Sequence, residues 1–229
     1  MVYKDGFLEK YFLDKEITLQ DTTWSIDSFI QEHPLKASGT AEAVAVFRCM
    51  EIEPNPGTLG IIKIRASIPE DDEPEDDENK EMALNALSIL EPRNLQILTD
   101  AECSSAPKLL AQEMFRQTDD MCDPEGYVVC IVMEALPGEP LDPRKFWGSD
   151  RGRRDIIREA FRKAITEVGN CGIEHWDAGI QNLLWDETRG KCYIVDFENS
   201  ENIAGTDFEW DELYWVRWGL SHNFGGPEW

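Results

Sequence analysis

Apolar residues in the first part of the chain come in runs of strand length. Ala43 to Met50 (AVAVFRCM) and Ile61 to Arg65 (IIKIR) are two such runs, and Pro54 to Gly60 between them is rich in Pro, Asn and Gly. Two strand-like runs flanking a turn-forming stretch predict a hairpin. Period-two alternation sets Lys63 on the face opposite Ile62 and Ile64, where it can look into a cleft. Residues 1 to about 35 carry scattered aromatics, with a helix start predicted at Ser25 or Asp27. Tyr127 to Met133 (YVVCIVM) is continuously apolar, as a buried strand is. Glu134 to Leu141 then breaks the run with Pro and Gly and reads as a linker between lobes.

Helical spacing follows a different pattern. Leu84, Leu87, Leu90, Leu95 and Leu98 fall at helix-like intervals over Met82 to Leu98, but Pro92 interrupts them and disfavours helical geometry at Glu91. The clearest helix is Arg153 to Val168. There Ile156, Ile157, Ala160, Phe161, Ala164, Ile165 and Val168 recur on one face, and Gly169 and Gly172 end the run. Leu183 to Trp185 and Cys192 to Val195 predict two short strands joined by a turn through Asp186 to Lys191. A last helix is predicted from Asp211 to Leu220, carrying Leu213, Trp215 and Trp218. Strand signals before residue 133 and helix signals after it predict an α+β chain of two lobes. Residues 1–133 form the β-rich N-lobe and residues 134–229 a reduced, mostly helical C-lobe. A length of 229 residues suits two small lobes around a shared cleft.

Charge and cysteine usage narrow the classes. The chain has 22 basic and 46 acidic residues, a formal net charge of −24. That charge repels phosphate backbones and anionic lipid, which argues against nucleic-acid and membrane-surface partners and suits a cationic small molecule. Residues 69–81, a run of Asp and Glu with two prolines, predict a solvated loop. Cys49, Cys103, Cys122, Cys130, Cys171 and Cys192 include no C-x-x-C pair, so zinc-type spacing is lacking. Met1 to Lys15 mixes charged and apolar residues without a signal peptide's apolar core, and no apolar run reaches membrane-spanning length. The expected compartment is the cytosol, with reduced thiols.

The chemistry is concentrated in Gly172-Ile-Glu-His175-Trp-Asp177-Ala-Gly-Ile-Gln-Asn182, followed by Tyr193-Ile-Val-Asp196-Phe-Glu198. This is H-x-D-x-x-x-x-N, two short strands, then D-F-E. Phosphoryl transfer needs such groups: a carboxylate beside the attacking hydroxyl, and an amide oxygen and a second carboxylate to hold magnesium against the phosphates. In these motifs the chain resembles the protein-kinase-like superfamily, over most of its length. It looks more like the aminoglycoside and choline phosphotransferase group than like protein kinases, because Trp176 precedes Asp177 where protein kinases have Arg, and Glu198 stands where they have Gly.

The resemblance implies a set of roles. Asp177 is the catalytic base, His175 buttresses the loop by hydrogen bonds, and Asn182 and Asp196 bind Mg2+. Lys63 contacts the phosphates of ATP. Glu91 is the partner implied for Lys63, with Glu81 as the alternative. Cys103-Ser-Ser-Ala-Pro107, downstream of Glu91, looks like the fungal members of the group. Met133-Glu134-Ala135 is the hinge that meets the adenine through backbone groups, and Leu136-Pro137-Gly138 is its usual sequel. Gly39, in Ala37-Ser38-Gly39-Thr40, stands in for a glycine-rich loop. Only 33 residues follow Asp196, where the group has a larger helical region, so a trimmed acceptor side is expected.

Trp210, Trp215, Trp218 and Trp229 are expected to pack and cap the lower lobe, with a cage for a cation as the alternative. The function expected is ATP- and Mg2+-dependent phosphoryl transfer to a small hydroxylated, cationic molecule. Two alternatives stand beside it. One is a kinase-like binding module without activity. The other is a repurposed kinase fold, such as an aminoacyl-tRNA-dependent transferase, with Arg151, Arg153, Arg154, Arg158 and Arg162 as a local basic patch.

Overall fold

The computed structural model describes residues 4, 6–37, 40–69, 86–124, 126–206 and 208–222. They divide into two compact units, Met1–Pro92 with Leu109–Ala135, and Arg93–Lys108 with Leu136–Trp229.

The first unit begins with the short helix α1 (Phe7–Phe12) and the strands β1 (Glu16–Leu19), β2 (Thr22–Ala37), β3 (Thr40–Glu53) and β4 (Leu59–Ser67). Helix α2 (Ala86–Asp100), β5 (Leu109–Arg116) and β6 (Tyr127–Glu134) follow. The strands make one six-stranded sheet in the order β1-β2-β3-β4-β6-β5, with every neighbouring pair antiparallel. Alternation sends Ala43, Ala45, Phe47, Cys49, Ile62, Ile64, Val128, Cys130 and Val132 to one face. There they bury against Leu8, Phe12, Leu19, Trp24 and Ile26. The other face carries Lys63 and Arg65.

Two expectations for this unit are corrected. Ser25 and Asp27 start no helix. They lie in β2, where Ser25 pairs with Met50 and Ile26 with Cys49. Trp24 and Ile26 alternate into the core, and this period-two burial outweighs the capping propensity of the polar residues between them. Nor does Pro92 end the helical run. Helix α2 passes through it, so Glu91 is helical and Ser88 lacks the N–H that residue 92 would ordinarily supply to its carbonyl. The acidic loop expected at 69–81 lies outside the described residues beyond Pro69.

The second unit contains β7 (Glu139–Pro140), α3 (Pro143–Gly148), α4 (Arg151–Asn170), β8 (Ile173–His175), β9 (Leu183–Asp186), β10 (Lys191–Ile194), β11 (Ser200–Asn202) and α5 (Leu213–Arg217). Its sheets are β10-β9-β7 and β11-β8, so among the described residues no sheet runs through both units. Asp150 caps α4 by accepting from the Arg153 N–H at 3.0 Å, and Gly172, at φ +89°, turns the chain after it. Ile157, Phe161, Ala164, Ile165 and Val168 form the buried stripe that packs on β8 and β10. Ile156, expected on that stripe, is 60% exposed. The hairpin of β9 and β10 turns on Asp186, whose carboxylate accepts from the N–H groups of Thr188 and Arg189 and from the Arg189 guanidinium.

The segment Arg93–Lys108 precedes residue 133 yet belongs to the second unit. Its polar groups account for this. Asn94 donates to the carbonyls of Phe197 and Ser200, both at 3.1 Å, and Ser105 accepts at its carbonyl from the Ile194 N–H at 2.9 Å. No helix among the described residues is long and apolar enough to cross a membrane.

Candidate active-site residues

Strand β8 ends at His175 in one sheet and β9 begins at Leu183 in another, so the residues between form a loop anchored at both ends. Asn182 fixes the form of that loop. Its side-chain Nδ2 donates to the Asp177 carbonyl at 2.9 Å and to Asp177 Oδ2 at 3.0 Å. Asn182 is buried while Asp177 is exposed, so a packed amide orients a carboxylate that solvent can reach. With both amide hydrogens committed, the Asn182 side-chain oxygen points away from Asp177.

His175 is 4% exposed and its Nε2 lies 3.1 Å from the Val195 carbonyl. A carbonyl only accepts, so Nε2 carries the proton. Burial pushes the imidazole below its usual range, against the pull of the Val195 carbonyl and of Asp196 and Asp177. Its ring packs on Phe197 and Trp218, with centroids 5.2 Å and 5.0 Å away. Among the described residues Nδ1 has no hydrogen-bond partner. His175 is therefore placed to hold the loop rather than to titrate near neutral pH.

Asp196 stands just beyond β10, across the hairpin from Asn182: the Val195 N–H donates to the Asn182 carbonyl at 3.0 Å. Its backbone is left-handed, at φ 67° and ψ 70°. Among non-glycine residues this conformation is uncommon, with Asp over-represented, and such strain concentrates at functional sites. The hairpin thus sets Asn182 and Asp196 near one another along the backbone, one carrying an amide oxygen and the other a carboxylate. Both are hard oxygen donors of the kind Mg2+ takes.

In the first unit, Lys63 Nζ on β4 meets Glu91 Oε2 on α2 at 2.8 Å. Glu91, rather than Glu81, is thus the described partner, and Glu81 lies outside the described residues. Gly39 also lies outside them. On either side of it, Ala37 at the end of β2 pairs with Thr40 at the start of β3. Glu134 closes β6 opposite Gly60, and the Ala135 N–H donates to the Leu59 carbonyl at 3.3 Å. That donor is used within the sheet, so an adenine here would draw its donor from another group.

The tryptophans divide in two. Trp218 is fully buried beside Phe161, whose ring centroid is 5.1 Å away. Trp210 stacks on Tyr214 at 5.7 Å beside a cleft of about 630 Å3 that Glu209, Asp211 and Glu212 help to line. Arg162 lies 5.4 Å from the Trp210 ring and Arg217 lies 5.9 Å from the Tyr214 ring, so the protein's own cations occupy these aromatic faces. Tyr214 Oη donates to Glu174 on β8 at 3.4 Å, which connects this cleft to the strand that leads into His175. Trp229 and Asp207 lie outside the described residues.

Sequence reasoning missed Glu42, which is fully buried and accepts from Arg65, Ser88 and Tyr127. The available signal was its parity with Val44 and Val46, which sets it on the Lys63 face of β3. Asn94 and Glu167 were also missed, because each acts on a segment distant in sequence.

No family model matches the chain. Among solved structures it is similar to the Cydia pomonella granulovirus kinase PK-1, at 15% sequence identity and a TM-score of 0.44. The match covers 82% of this chain, and the chain spans about half of that kinase's length (55%). The fold is α+β: a β-rich unit with a strand lysine paired to a helix glutamate, and a mainly helical unit with the His175–Asn182 loop and the Asp196 hairpin.

Proposed function

We propose that the protein is an ATP- and Mg2+-dependent phosphotransferase acting on a small hydroxylated molecule. The observation that carries this reading is the double hydrogen bond from Asn182 to Asp177, which aims an exposed carboxylate from a buried anchor. A carboxylate so held can orient an acceptor hydroxyl and take its proton. The Asn182 amide oxygen and the Asp196 carboxylate would hold Mg2+, which when bound neutralises charge on the phosphates. Lys63, kept in place by Glu91, would contact those phosphates as a fixed positive charge. Glu134 and Ala135 would border the adenine.

Within the kinase-like class we assign the chain to the aminoglycoside and choline phosphotransferase type, on Trp176 and Glu198. A cationic acceptor is supported by the net charge of −24. The test is titration calorimetry with ATP, with and without Mg2+, paired with turnover assays on hydroxylated amines. Asp196→Ala should abolish metal-dependent nucleotide binding. Asp177→Asn should spare binding and lower turnover by roughly 10²–10⁴. Turnover that survives both changes, or that needs no nucleoside triphosphate, would transfer the fold to another transferase reaction.

A further inference from the structure

The buried carboxylate of Glu42 has no part in the chemistry proposed above, yet both its oxygens are hydrogen-bonded. It lies on β3 at 0% exposure. Its Oε2 accepts from Arg65 Nη1 at 3.1 Å, and its Oε1 accepts from Tyr127 Oη at 2.6 Å and from Ser88 Oγ. Arg65, Tyr127 and Ser88 are themselves 0%, 2% and 1% exposed. A buried carboxylate is tolerated only when its oxygens are bonded, and here donors from three elements do this.

Two of the three donors belong to the sheet. Arg65 is on β4, which pairs with β3, and Tyr127 is on β6, the next strand beyond β4, so both bonds stay within the sheet. Ser88 is on α2, and its bond fastens the helix to the sheet. Ser88 and Glu91 are three residues apart on α2 and share a face. Arg65 and Lys63 are two apart on β4 and share a face. The helix thus meets β4 at two steps, Ser88 through Glu42 beside Arg65, and Glu91 directly on Lys63. Between those steps α2 is weak, because Pro92 supplies no N–H to the Ser88 carbonyl. The turn that presents Glu91 is held from outside.

We propose that Glu42, with Arg65, is the anchor that positions α2 through Ser88, so that Glu91 stays on Lys63. Glu42 and Ser88 are positioning residues, and their importance for nucleotide use rests on reading Lys63 as the phosphate contact. The experiment is site-resolved acylation of Lys63 by an N-hydroxysuccinimide ester, quantified by mass spectrometry on the folded full chain. Ser88→Ala should raise the Lys63 labelling rate roughly fivefold, the factor that a hydrogen bond of ordinary strength represents. Ser88→Thr, which keeps the hydroxyl, should restore protection. Tyr127→Phe removes a hydroxyl from the same Glu42 oxygen but leaves α2 fastened; it should lower the melting temperature and leave Lys63 protected.

Ser88→Cys keeps the volume with a weaker donor and carries the comparison if Ser88→Ala does not fold. Wild-type protection in the Ser88 variants, or an equal rise in Tyr127→Phe, overturns the assignment. Where the wild type binds Mg·ATP, the Ser88→Ala dissociation constant should rise in step with labelling, and an unchanged one also overturns it. A wild type that binds no nucleotide removes the nucleotide reading alone, and the labelling comparison still decides the anchor.

Discussion

Lys63 Nζ lies 2.8 Å from Glu91 Oε2, with the two side chains 9% and 1% exposed. Breaking a pair this buried leaves an uncompensated charge, whereas replacing both partners by apolar groups does not. Glu91→Ala should therefore lower unfolding stability by roughly 3–5 kcal/mol. Lys63→Met combined with Glu91→Leu should regain most of that loss. Urea unfolding of the two variants measures this. The double variant should stay unable to bind Mg·ATP, so stability and the proposed function separate at this pair. A double variant no more stable than Glu91→Ala would mean that other partners, not the pair, set the energetics here.

Gly138 follows the β6 strand and is held at φ +109°. A Cβ added to it would come 2.9 Å from the Trp185 carbonyl carbon and oxygen, both backbone atoms. Gly205 is also left-handed, at φ +88°, but nothing among the described residues lies within 4 Å of its Cβ position. Alanine at Gly205 should cost only the conformational penalty, about 1 kcal/mol. Alanine at Gly138 should cost about 3 kcal/mol, since β9 must move as well. Thermal melts of the two variants give the comparison, and equal losses would show that the β9 backbone yields freely.

The candidate site was readable in sequence where its parts are local. His175, Asp177 and Asn182 span eight residues, and a short hairpin separates Asn182 from Asp196, so motif order and geometry coincide. Lys63 was readable from its place in the strand after a predicted turn, with alternation setting its face. Burial of Glu42 was not, because its partners lie on three other elements, Tyr127 being 85 residues away. In so acidic a chain a strand glutamate reads as solvated. Strand β2 was hidden for a different reason. Ser25 and Asp27 occupy its less buried positions and mimic a cap, and only the alternation of Trp24 and Ile26 betrays the strand. Helix α2 runs through Pro92, and the side chains of Ser88, Glu91 and Asn94 fasten it on both sides of the proline.

Glu167 on α4 carries the clearest pH dependence. Its carboxylate accepts from the Ser104 N–H at 2.8 Å, from Ser104 Oγ at 3.1 Å and from Ser105 Oγ. Lys191 braces the same loop by donating to the Ser104 carbonyl at 2.7 Å. Burial alone would raise the carboxyl, but the bonds from Ser105 and Ser104 and the charge of Lys191 together hold it below its ordinary value of 4.5. The unfolded chain therefore takes up this proton first as pH falls. The stabilisation is fully present above pH 4.5 and is lost as pH falls through the depressed folded value. Glu167→Gln removes the charge and half of the acceptors. Because the site is well solvated, the loss at neutral pH should be about 1 kcal/mol. The stability difference between wild type and Glu167→Gln should hold constant from neutrality to about pH 5 and then shrink in more acid solution. Urea unfolding at a series of pH values measures it. A difference that persists undiminished to pH 3 would assign the effect to packing rather than to the carboxylate.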